Sequence, residues 1–152
     1  MPKSKYGKYI ITEPKSEEEL ISMGFTPQKR SPGVPYVKGL AFLDEKRVKG
    51  AFYMEVAIME PGSKRRDTWV KAHIHDYDEI LGFVGTSVKN PQDLGGEIEL
   101  WLDDEKHILT KSCLVFVPKG FKHCPLSLNR VDTPIVHFSV LSGAPAYLWT
   151  DV

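Results

Sequence analysis

His73, His75 and Glu79 in the run HIHDYDE, with His123 at the end of PKGFKH, are the residues whose types and spacing could do chemistry. Side chains alternate across a strand, so His73 and His75 share a face, and a carboxylate four residues on can join them only across a bend or from a neighbouring strand. HxHxxxE is therefore a three-ligand start to a site. His123 follows a Pro-x-Gly turn, in which Pro118 and Gly120 would fix a sharp reversal that swings the imidazole inward. Three imidazoles and a carboxylate suit a divalent transition metal, Fe, Mn, Ni, Co or Zn, and affinity order alone does not choose among them. Four protein ligands leave two positions of an octahedral ion for water or a bidentate substrate, which separates a reactive site from a closed structural one. Ordinary polar strand residues would explain one HxH pair equally well; the two motifs in this order favour a ligand set.

Strand parity extends the list. In WVKAHIH, Trp69, Lys71, His73 and His75 fall on one face, so Lys71 is a catalytic candidate that could attract a carboxylate or other anion, or else a lysine at the mouth with its ammonium in water. In PIVHFSV, His137 shares a face with Ser139 and is a catalytic candidate for acid–base work, or else a hydrogen-bonded core histidine. Tyr53 with Glu55, and Glu97 with Glu99, read more simply as solvated strand faces. His107 and Lys64-Arg65-Arg66 read as exposed, and Cys124 as a small buried hydrophobe.

These motifs resemble those of the cupin superfamily. The first cupin motif is matched by Gly62, His73, His75, Glu79 and Gly85, with a long gap after Gly62 and the last glycine one position early. The second is matched by Pro118, Gly120 and His123, with Ser127 where many members carry Asn. The resemblance covers roughly residues 50 to 141 and implies an all-β, double-stranded β-helix (jelly-roll) barrel with a metal in its mouth. It names no reaction, because cupins include dioxygenases, isomerases, lyases and sugar-binding regulators. The expectation is a metal-dependent cupin enzyme acting on a small oxygen-bearing, conceivably anionic, organic molecule. The alternative is a non-catalytic module that binds a sugar or other small molecule. No helix-turn-helix fits in the N-terminal stretch, which disfavours a direct transcriptional role.

The 152 residues are one domain's worth, enough to bury a core without staples. Twenty basic and twenty acidic residues cancel, which argues against a nucleic-acid surface. No apolar run approaches membrane length, and the N-terminus lacks the apolar core of a signal peptide, so the expected compartment is the cytoplasm. Two cysteines without a CxxC pair make a disulfide an unexpected feature there.

Residues 1–35 read as an N-terminal extension with a short helix at 17–23, opened by a Ser16/Glu19 capping box and stopped by Gly24, and then a proline-rich extended loop. Residues 36–152 read as the barrel domain, with strands near 36–43, 51–59, 69–75, 79–84, 96–102, 106–111, 113–117 and 134–141 and turns between them. Such short strands with no long helix mean a sandwich or barrel. The stretch 85–96 reads as a plain loop or a lid. Strands apolar on both faces need a cover for the outer one, which predicts a homodimer, or a monomer capped by its own N-terminus.

Overall fold

A computed structural model describes residues 4–152, so residues 1–3 of the expected extension lie outside it. The predicted helix is present as α1 (Glu17–Ser22). Ser16 Oγ accepts from the Glu19 amide while the Glu19 carboxylate accepts from the Ser16 amide, and Gly24, at φ 84°, ends the turn. From residue 36 the chain is built of strands: β1 (Tyr36–Leu43), β2 (Met54–Glu60), β3 (Arg66–Val70), β4 (His73–Ile74), β5 (Glu79–Gly85), β6 (Asp93–Leu102), β7 (Glu105–Lys111), β8 (Cys113–Val117), β9 (His123–Val131), β10 (Ile135–Leu141) and β11 (Thr150–Asp151).

The pairings are antiparallel. One sheet runs β1-β2-β10-β5-β8 and the other β11-β4-β9-β6-β7, with β3 also on β9. Alternation decides what faces inward: Glu79, Leu81 and Phe83 are buried on β5 while Ile80 and Val84 are exposed, and Ile135, His137, Ser139 and Leu141 are the buried positions of β10. Their apolar members meet Ile98, Leu100, Leu126 and Leu128 of the facing sheet in one core. A second, smaller cluster of Phe42, Tyr53, Leu141 and Ala144 sits toward the end of the barrel where β5 begins at Glu79. Two facing antiparallel sheets with consecutive strands exchanged between them make the double-stranded β-helix that the motifs imply.

Four expectations change. The strand expected at 69–75 is broken: β3 ends at Val70 and β4 starts at His73, so parity does not carry across the break and Lys71 is exposed. Strand β9 has no counterpart among the expected strands, and it carries Pro125, which has no amide to donate to a ladder. The structure accommodates the missing amide where the β6–β9 register slips, between the Leu100–Leu126 and Leu102–His123 pairs. Gly85 lies at the far end of β5 from Glu79, about 20 Å away at strand rise, so the stretch after it is no lid over the ligands. The pair Gly95-Gly96, read as a turn, lies inside β6.

Phe83 is fully buried and stacks on the His137 ring at a 4.7 Å centroid distance. Phe83→Ala should therefore cost about 3–5 kcal/mol, read as a lower denaturant midpoint; a change under about 1 kcal/mol would contradict this packing.

Candidate metal centre

The four motif residues come from three places and meet at one point. His73 and His123 stand directly opposite each other across the β4–β9 pair, each as the first residue of its strand. His75 follows β4. Glu79 opens β5 on the other sheet, so the cluster bridges both sheets. The turn before His123 is tied to the first motif at both ends: Gly120, at φ 75°, donates its amide to the His75 carbonyl at 2.8 Å, and Lys119 donates to Asp78 Oδ1 at 2.9 Å.

Each ring is held by its Nδ1, which donates to a backbone carbonyl: His73 to Lys71 at 2.7 Å, His75 to Leu148 at 2.6 Å and His123 to Phe121 at 3.1 Å. That assignment leaves every Nε2 lone pair aimed inward. The Nε2 atoms of His73 and His75 are 3.1 Å apart, and Glu79 Oε2 lies 2.8 Å from His123 Nε2 and 3.2 Å from His75 Nε2. All four candidate ligand atoms lie within 4.8 Å of one another, on side chains 1–3 % exposed. Glu79 Oε2 and His123 Nε2 are buried without a satisfied hydrogen bond. Buried acceptors facing acceptors are costly unless a cation or proton sits between them. The donor set thus fits a divalent transition metal in chemistry and in orientation.

The electrostatics agree. Burial holds His73 well below the ordinary range, at about 4. Burial would also lower His75, but the Glu79 carboxylate outweighs it and leaves the imidazole raised. Burial pushes the Glu79 carboxyl up, and the imidazoles of His123 and His75 more than offset this, holding it at about 2.

The other expected residues divide. His137 is buried against Trp69 and Phe83 with its Nδ1 donating to the Gly82 carbonyl at 2.9 Å, and burial keeps it neutral, with a pKa near 4. Lys71 does not enter the cavity; its carbonyl serves His73 while its side chain is exposed. Tyr53 and Glu55, read as solvated, in fact turn inward. Tyr53 is 1 % exposed and donates to Glu55 at 2.7 Å. Lys15 reaches in from the N-terminal segment, bonding Tyr53 Oη at 2.6 Å and pairing with Glu55. Its ammonium is drawn down to about 7 by burial, opposed by Asp44 and Glu19. Glu97 and Glu99 pair on the surface with Arg130 and Arg65, and both cysteines are free. Sequence reasoning missed Lys15, Tyr147 and Leu148. Tyr147 Oη stands 3.4 Å from His73 Nε2, and Leu148 acts through its carbonyl, which no side-chain pattern announces.

The architecture is a double-stranded β-helix. No family model matches the chain, and no curated protein matches it by sequence. Among solved structures it is similar to KdgF from a Halomonas species, at 16% identity over 75% of this chain and 84% of that one, with a TM-score of 0.45. A Klebsiella pneumoniae protein with a double-stranded β-helix domain is similar at 16% identity, covering 80% and 87%, with a TM-score of 0.45. A cupin superfamily protein from Desulfitobacterium hafniense is similar at 11% identity, covering 87% and 96%, with a TM-score of 0.44.

A proton on a donor nitrogen must leave before an ion binds. His73 stays neutral until pH nears 4, whereas His75, raised above the ordinary value, takes a proton first as pH falls. Zinc affinity, measured by competition with a chromophoric chelator, should therefore be flat above about pH 8. It should fall toward about tenfold per pH unit below about pH 6.5. An affinity unchanged down to about pH 5.5 would contradict the ligand assignment.

Proposed function

We propose that this chain is a metal-dependent enzyme of the cupin type that acts on a small oxygen-bearing organic molecule. His73, His75, Glu79 and His123 hold the divalent ion, and their donor chemistry suits Fe, Mn, Ni, Co and Zn alike. The observation that carries the reading is the convergence of three carbonyl-anchored imidazoles and one carboxylate on a buried point where Glu79 Oε2 and His123 Nε2 have no hydrogen-bond partner. When bound, the ion would supply Lewis acidity to a substrate oxygen, or oxygen activation if it is iron. His137 supplies the acid–base group: its Nδ1 is committed to Gly82, so the neutral Nε2 is left to accept a substrate hydroxyl proton. Trp69 and Phe83 hold that ring in place. Lys71 is exposed, as a lysine at the mouth with its ammonium in water would be, and Lys15 is already paired with Glu55, so an anionic substrate has little support.

Residues 36–152 form the catalytic barrel and 1–35 its extension. The active form is a homodimer. Ile80, Val84, Leu114 and Phe116 are exposed together on the outer face of β5 and of the edge strand β8, and Ile80 lies opposite Phe116 in that pair. Among the described residues no helix is long and apolar enough to cross a membrane. Two free thiols suit a reducing compartment, and the cytoplasm is the proposed location.

Elemental analysis of anaerobically purified protein should find about one divalent ion per chain, and close to none in His75→Ala. Equal metal in both would sink the site. Under an oxygen-uptake and metabolite screen, His137→Gln should keep its metal and lose about 10²–10⁴-fold in turnover. Metal retention with no turnover of any compound in the wild type would favour a binding module instead. Light scattering should give twice the 17.2 kDa chain mass, falling to that mass when Leu114 and Phe116 are both changed to Glu; a monomeric wild type would overturn the dimer.

A further inference from the structure

The four candidate ligands are closed off from solvent, and the segment 145–151 does much of the closing. Its start is anchored to the barrel: the Pro145 carbonyl accepts from the Glu45 amide at 3.0 Å and the Ala144 carbonyl from the Tyr53 amide at 2.8 Å. Its end is anchored as β11, where Thr150 pairs with Ile74 and Asp151 with His73. Between these points the segment touches the centre twice. The Leu148 carbonyl receives the His75 Nδ1–H at 2.6 Å, and Tyr147 Oη stands 3.4 Å from His73 Nε2 with its ring edge-on to that of His75 at 5.3 Å.

We propose that residues 145–151 are a strap belonging to the metal centre, with Leu148 as a positioning residue for His75 through its main-chain carbonyl and Tyr147 as the plug over His73 and His75. The inference rests on the metal reading above and goes beyond it, because none of these residues is a ligand in the four-residue set. Removing the carbonyl would free His75 to rotate and lower its basicity, as loss of an outer partner does to other metal-bound imidazoles.

By linkage the effect runs both ways: an ion that fixes His75 also fixes the carbonyl it bonds, and so stabilises the strap. The strap is suited to opening. Thr150 and Asp151 are exposed, Leu148 is 46% exposed, and the ladder holding the end is two residues long. A surface hollow of about 350 Å³ lies behind it, bordered by Met23, Phe42, Tyr147, Leu148 and Trp149. What latches the strap is aromatic packing against the N-terminal segment: Trp149 stacks on Phe25 at 5.4 Å and Tyr147 packs on Phe25 at 5.5 Å. A small molecule that reaches His73 and His75 past the strap must displace Tyr147, so the same latch would govern access from this side.

The test uses the full chain with and without zinc. Amide hydrogen exchange across 145–151 should slow at least tenfold on zinc loading, with exchange in β6 and β10 unchanged. In Trp149→Ala, which unlatches the strap without touching a ligand, the rate at which a chelator strips zinc should rise about tenfold or more, with the zinc stoichiometry kept. Zinc bound at one per chain with no change in strap exchange, or a stripping rate in the variant equal to wild type, would overturn the strap and leave the metal reading standing. Absence of zinc binding by the wild type would instead overturn both.

Discussion

Three imidazole nitrogens and a carboxylate oxygen are pressed together in a space where Glu79 Oε2 and His123 Nε2 find no hydrogen-bond partner. That constraint organises the rest of the molecule. Each Nδ1 is committed to a main-chain carbonyl, so each ring can turn only one edge to the centre, and the edges presented are lone pairs. The Glu79 carboxylate beside His75 favours its protonated form against burial, so that imidazole is raised, while burial dominates at His73 and lowers it. A divalent ion relieves the repulsion among the facing lone pairs. The ligands come from both sheets, so an ion there would also cross-link the two layers of the sandwich.

The surroundings are built in shells around this point. The barrel interior below is apolar, with His137 set into it between Trp69 and Phe83. Above, the two ends of the chain meet: the N-terminal segment brings Phe25 and Lys15, and the segment after β10 brings Tyr147, Leu148 and Trp149. Lys15 sits with its ammonium 5.0 Å from the Tyr53 ring and 5.9 Å from that of Tyr147, and its pairing with Glu55 is the polar pin of this cap. The site is thus a polar pocket closed by an aromatic cover, a combination that excludes water and still leaves the cover displaceable.

The convergence of the four motif residues and the barrel were legible because their signals are local. An HxH on one strand, a carboxylate at the next strand's start and a Pro-x-Gly turn before the last histidine are short-range patterns, and each does in space what its spacing implies. The failures have physical causes. Parity placed Lys71 inside because it assumes an unbroken strand, and the chain bends after Val70. Strand β9 was not expected; it accommodates Pro125 only where its register with β6 slips, and a slip is set by the partner strand. Tyr53 and Glu55 looked solvated because their cover, Lys15, arrives from a distant segment with no periodicity of its own. Leu148 was unreadable in principle, since any residue offers the same carbonyl.

Zinc K-edge absorption spectroscopy on the loaded protein bears most directly on the central claim. The account predicts three imidazole nitrogens at about 2.0–2.1 Å and a carboxylate oxygen at about 2.0–2.2 Å, with one imidazole's outer-shell scattering lost in His123→Ala. A spectrum dominated by water oxygens, by sulfur, or by a single imidazole would contradict it.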